Sequence, residues 1–90
     1  FIFGDLDLKD FLNLVEIIEN SKFKFNEINN LYYFKSNRWD IETKDGLILK
    51  MPQNLTKEKL NLVYKIIQSN KFDGNKIIDY RQNKMIVVNG

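Results

Sequence analysis

Few residues of this chain have side chains that could carry out acid–base, nucleophilic or metal chemistry. The 90 residues include no His and no Cys, so the commonest general base, the commonest metal ligand and every thiol nucleophile are missing. Asp40, Glu42 and Asp45 are spaced carboxylates, a residue type used in acid–base pairs. Their outward positions beside a predicted turn leave them in water, whereas such a pair needs burial or a close like charge. We therefore expect no catalytic residue, no cofactor, no metal site and no enzymatic activity.

A run of aromatic residues beside cations is the second candidate site. Tyr32, Tyr33 and Phe34 precede Lys35 and Arg38, and they could stack on the bases of a single-stranded nucleic acid. In a sheet covered by helices such residues more often form core and cross-strand contacts. Fourteen basic and twelve acidic residues also leave a formal net charge of only +2, which does not demand a polyanionic partner. A small α/β nucleic-acid-binding domain is therefore the alternative interpretation, and no nucleic acid is expected as the partner.

A β-hairpin over residues 38–52 is the best-specified element of the sequence. Apolar and polar residues alternate on both sides of Lys44, Asp45 and Gly46, a turn sequence that tolerates a positive φ. Pro52 cannot donate a hydrogen bond to a sheet and so ends the second strand. The residues expected on the buried side are Trp39, Ile41, Thr43, Leu47, Leu49 and Met51.

Two other segments have the apolar spacing of amphipathic helices. The first helix is predicted over residues 8–19, with Asp7 as its N-cap and Asp10 in its first turn, where a negative charge suits the helix dipole. The second is predicted to follow Thr56 as N-cap and to end near Ser69. Each helix has one apolar stripe, so each must pack against another layer.

Strands are predicted over three further segments, namely residues 23–34, 77–80 and 84–88. The element order is then α-β-β-β-α-β-β within one domain of residues 1–90, whose N-terminal strands are expected to be missing. Helices with one apolar stripe and strands with alternating residues are both satisfied by an α+β fold. We expect a mostly antiparallel sheet with the two helices packed on one face.

The last predicted strand, over residues 84–88, has no later element to cover its edge. An apolar, β-branched edge promotes aggregation unless a partner pairs with it. This strand is therefore predicted to accept a strand from a partner, which is called β-augmentation. Arg81 lies next to it, and its guanidinium could either bind a partner carboxylate or form an ordinary surface ion pair.

Three segments resemble the sequence motifs of one protein family. The first is residues 38–52, RWDIETKDGLILKMP, which look like the segment RWDL-x-L-x-NG-x-x-V-x-LP. The second is residues 77–81, IIDYR, which resemble VVDLR, and the third is Phe3-Gly4, which resembles LP-x-x-x-G before the first helix. These motifs belong to the FtsQ/DivIB family of bacterial cell-division proteins, and the resemblance covers nearly the whole chain.

The resemblance implies an FtsQ-like β domain without the transmembrane and POTRA parts of the family. Such a protein crosses the inner membrane once and places this domain on the periplasmic side. Its implied role is that of a scaffold in the divisome at the septum, where it binds FtsB- and FtsL-type division proteins. The FtsB-type protein would add a strand to the sheet edge near the C-terminus, and no small-molecule ligand is implied.

The resemblance also implies which residues bind the partner. Arg81 matches a family Arg that contacts a partner acid, and Arg38 is a second candidate of the same kind. Enterobacterial relatives often have an aromatic residue directly after this Arg, where this chain has Gln82. A second family aromatic, further along the last strand, has no counterpart in this chain. The apolar contact is then expected from Ile86 and Val88 or from Met85 and Val87. The predicted partner-binding set is Arg38, Arg81, Gln82, Lys84, Met85, Ile86, Val87 and Val88.

Overall fold

A computed structural model describes residues 2–4, 7–70, 76–82 and 85–89 of the chain. Within them lie two α-helices, α1 and α2, and six strands, β1 to β6. In chain order these are β1 Ile2–Phe3, α1 Leu8–Asn20, β2 Ile28–Phe34, β3 Arg38–Thr43, β4 Ile48–Lys50, α2 Lys57–Asn70, β5 Ile77–Asp79 and β6 Val87–Asn89.

The strands form one sheet with the order β1-β2-β3-β4-β5-β6. β2, β3 and β4 form an antiparallel meander, and β6 is antiparallel to β5. The pairs β1–β2 and β4–β5 are parallel, and each is joined by a helix. The connections β1-α1-β2 and β4-α2-β5 both step in the same direction along the strand order, and all four strands run parallel to one another. Right-handed connections therefore place α1 and α2 on the same face of the sheet. α1 and α2 contact each other there, and the predicted α+β fold is confirmed.

The core lies between the helices and the sheet. Leu14 and Ile18 of α1 and Leu60 and Val63 of α2 are buried against it. All six hairpin residues expected on the buried side are buried. The hairpin turn also has the positive φ that its sequence predicted, with Gly46 at 89°.

Local hydrogen bonds shift two predicted strand boundaries. Residues 23–34 were predicted to be β-like, but a short 3₁₀ helix at Phe25–Glu27 precedes β2. This turn is held because the Glu27 side chain accepts from the backbone N–H of Lys24, at 3.0 Å. The last strand was predicted over residues 84–88, but β6 begins at Val87, since the backbone N–H of Met85 donates to the carbonyl of Gln82. Lys84 lies outside the described residues.

Gly4→Ala is expected to destabilise the domain by about 2–3 kcal/mol. Gly4 has a φ of 121°, and a Cβ there would lie 2.5 Å from the backbone carbonyl oxygen of Tyr33. That oxygen belongs to the sheet and cannot move aside cheaply. Gly46→Ala, at a φ of 89° in the hairpin turn, is the matched control for backbone strain and should cost about 1 kcal/mol. Urea unfolding measures both, and equal losses would contradict the steric argument.

Candidate functional site

β6 has one paired and one unpaired backbone edge among the described strands. It is the last strand in the sheet order and pairs only with β5, with Val88 opposite Ile78 and Val87 opposite Asp79. Val87 and Val88 are 39% and 40% exposed. An edge of this kind has free main-chain donors and acceptors and can pair with another strand.

The two predicted apolar pairs at this edge lie on opposite faces of the sheet. Val88 is opposite the core residue Ile78, so it lies on the helix face, and Ile86 packs against the same core. Val87 is opposite Asp79 and lies on the open face, where it lines one cavity with Met85. A partner strand at β6 would therefore meet an apolar residue on each side.

The cavity on the open face has a volume of about 270 Å³ and lies beside β6. Arg81 forms its polar wall, and its guanidinium donates to both carboxylate oxygens of Asp79, with Nε 2.9 Å from Oδ1 and Nη2 2.6 Å from Oδ2. The Arg81 hydrogen bonds hold the pKa of Asp79 below its ordinary value, and Lys50 adds to this effect. Because Asp79 occupies the Nε side of the guanidinium, the Nη1 end of the half-exposed Arg81 side chain remains available to a carboxylate. The cavity is lined by Asp79, Arg81, Gln82, Met85 and Val87.

Arg38 lies away from this edge, on β3. Its Nη1 is 2.6 Å from Asp40 Oδ1, and its guanidinium carbon is 4.5 Å from the centre of the Phe34 ring. The Arg38 side chain is only 15% exposed, and two strands, β4 and β5, separate β3 from β6. The structure thus brings Arg81, Gln82, Met85 and Val87 together, but it does not bring Arg38 to them.

Most of the sequence that forms this fold matches the model of one protein family. Residues 5–81 match the family model described as cell division protein FtsQ/DivIB, C-terminal. The chain belongs to the FtsQ/DivIB C-terminal family. No curated protein and no solved structure matches the chain. Membership gives this FtsQ/DivIB domain a cell-division scaffold role. The family match ends at Arg81, so β6 lies outside the matched residues.

The motifs that resembled the FtsQ/DivIB family form neighbouring parts of the sheet. The RWD segment is the start of β3, and the IIDYR segment is β5 followed by Tyr80 and Arg81. Each segment contains an Arg and an Asp two positions apart that form an ion pair on the open face. Residues two positions apart in extended chain point to the same face, which brings the two side chains together. Sequence reasoning singled out both Arg residues but missed Asp79, although the same spacing in Arg38 and Asp40 was a usable signal.

Asp40 corrects one expectation about the carboxylates. It was expected to lie in water, but it is only 9% exposed. The reason is its pairing with Arg38, which compensates for the loss of water around the charge. Glu42 also has partners, because it accepts hydrogen bonds from Asn30 and from the hydroxyl of Tyr32.

The three aromatic residues proposed for base stacking do not form one surface of the FtsQ/DivIB domain. Tyr33 lies on the helix face, where its ring centre is 4.9 Å from that of Trp39. Tyr32 lies on the open face, opposite Asp40 in the β2–β3 register. Partial burial and Glu42 raise the pKa of Tyr32. Acidic neighbours repel phosphate, so this strand is poorly suited to a nucleic acid.

Two further features bear on the kind of site present. Within the described part of the chain, no helix is long and apolar enough to cross a membrane. In the same residues, acidic side chains do not gather in groups of three or more that could hold a metal ion.

Proposed function

We propose that this domain is a non-enzymatic divisome scaffold that binds an FtsB- or FtsL-type partner by strand addition at β6. We also propose that it lies on the periplasmic side of a protein that crosses the inner membrane once, as family membership suggests. The observation that carries the binding proposal is the unpaired edge of β6 beside the oriented guanidinium of Arg81.

The rows of side chains across the sheet suggest what the partner strand contains. On the helix face, one row of register partners runs from β2 to β6 and ends at the exposed Val88. Its members are Leu31, Ile41, Leu49, Ile78 and Val88. A strand added at β6 continues this row, so its residue beside Val88 should be apolar. The residues before and after it in the partner strand point to the open face, because side chains alternate along a strand.

On the open face, the partner strand would meet Arg81. The guanidinium is fixed by Asp79, and its outer end points away from that carboxylate. An acidic residue of the partner, placed next to the apolar one, could accept hydrogen bonds from this end. The proposed partner segment is therefore extended, with an apolar residue and an acidic residue on opposite sides.

The experiment is an NMR titration of the domain with a peptide from the extracytoplasmic end of the FtsB-like protein of the same organism. Two variants are compared, Val87→Pro and Val88→Pro. Successive N–H groups of a strand point to opposite edges, so one variant removes a donor to the partner and the other removes a donor to β5. We expect the variant that keeps the wild-type unfolding midpoint to lose peptide binding, and Arg81→Glu to weaken binding about tenfold.

Salt separates this proposal from the alternative of nucleic-acid binding. Strand addition should depend weakly on salt, whereas phosphate binding weakens steeply as salt rises. If the stable Pro variant binds the peptide as well as the wild type does, the edge is not the site. If a single-stranded oligonucleotide binds with a steep salt slope and the peptide does not, the aromatic strand is the site.

A further inference from the structure

A second cavity, of about 170 Å³, lies on the helix face, between α1, the β2–β3 turn and the loop before α2. It contains no residue of β5 or β6, so it is separate from the edge site. Its polar and aromatic walls are formed by Asp10, Asn13, Tyr33, Asn37, Trp39 and Gln53.

One hydroxyl in this cavity faces two acceptors. The Tyr33 hydroxyl oxygen is 2.7 Å from Asn37 Oδ1 and 3.4 Å from Asp10 Oδ2. A phenol has one hydrogen to donate, so it serves the nearer Asn37, and the Asp10 carboxylate can accept from another donor. Among the described residues, Asp10 forms no ion pair. Burial and the charges of Asp10 and Asp7 raise the pKa of Tyr33, which means that their negative potential reaches the cavity wall.

Trp39 also lines this cavity. Trp39 is 7% exposed, and its N–H donates to none of the described residues. No buried side-chain nitrogen or oxygen in the described part of the chain lacks a partner, so this N–H belongs to the small exposed part of Trp39. The cavity wall therefore combines the Asp10 carboxylate with two aromatic rings whose centres are 4.9 Å apart.

We propose that this cavity binds an arginine side chain carried by an extended segment of a partner protein. A guanidinium has donors spaced to reach Asp10 and Asn37 together, and it is attracted by the aromatic ring of Tyr33, which is only partly buried. Charge favours this occupant, because α1 has three acidic residues and one Lys, namely Asp10, Glu16, Glu19 and Lys9.

The test uses Nα-acetyl-arginine amide as the probe and Nα-acetyl-citrulline amide as its neutral control of the same shape. Trp39 is the one Trp of the sequence, so its indole ¹⁵N–H signal and its fluorescence report directly on the cavity. We expect a saturable change with a Kd of about 1 mM for a ligand of this size. The citrulline probe should bind about tenfold more weakly, because it lacks the charge.

Variants of the acceptors locate the binding site. Asp10→Asn should weaken arginine binding about tenfold, while Glu19→Gln, which removes the same charge from the same helix outside the cavity, should have little effect. Asn37 has a φ of 60°, a conformation that suits glycine, so Asn37→Gly should stay folded and weaken binding about threefold. Equal binding of both probes would overturn the proposal. Equal effects of Asp10→Asn and Glu19→Gln would overturn it too, since that result indicates only long-range charge.

Discussion

Arg38→Ala is expected to lower the free energy of unfolding by about 3 kcal/mol. The substitution leaves Asp40, which is 9% exposed, without the cation that compensates for its burial. It also removes the guanidinium stacked on Phe34 and a hydrogen bond to the carbonyl of Met51. Urea unfolding at neutral pH measures the loss, and an unchanged m-value shows that the variant unfolds in the same way.

Arg81→Ala is the matched control, because Arg81 forms the same type of ion pair with an Asp two positions away. Its side chain is 49% exposed, and exposed ion pairs contribute only about 0–1 kcal/mol. We expect this variant to keep nearly all of its stability while losing affinity for the partner peptide. A similar loss of stability in both variants would show that burial of the pair is not what decides its contribution.

Leu49→Ala is expected to lower the free energy of unfolding by about 3–4 kcal/mol, similar to the effect of Arg38→Ala. Leu49 is fully buried in β4, with Ile41 and Ile78 beside it in the register. Both neighbours belong to strands, and strands hydrogen-bonded on both sides cannot collapse into the space left by the side chain. Thermal or urea unfolding measures the loss.

Leu62→Ala removes the same atoms from α2 at a position that is 44% exposed. It should cost less than about 1 kcal/mol, since little surface leaves water there. Comparable costs at the two positions would mean that the row through Leu49 is not the centre of the core.

The parts of the fold that depend on local sequence could be predicted from it. The N-cap Asp7 accepts from the N–H of Asp10, at 2.9 Å, and the helix it begins was predicted from its apolar spacing. The hairpin follows from alternation around Gly46. The parallel pairing of β4 with β5 could not be predicted in this way, because strand neighbours joined through a helix are chosen by packing rather than by adjacent residues.

The candidate site was predictable to a lesser degree. Arg81 was identified from its place beside an apolar edge, but whether an Arg is free or engaged depends on which carboxylates the fold brings to it. Arg38 was predicted to bind a partner, and the fold pairs its guanidinium with Asp40 on the open face of the sheet. The cavity at Tyr33 and Trp39 was missed, because it is formed by an aromatic pair from neighbouring strands and polar residues from a helix and two loops.

The length of β6 bears on how long a proposed partner would stay bound. With three residues, it offers roughly three main-chain hydrogen bonds, each contributing about 1 kcal/mol net. A total near 3 kcal/mol corresponds to a Kd on the order of several mM. Tethering close to the edge raises the effective concentration of a partner into this range. A complex built on such a short strand forms where its members are gathered and separates when they disperse.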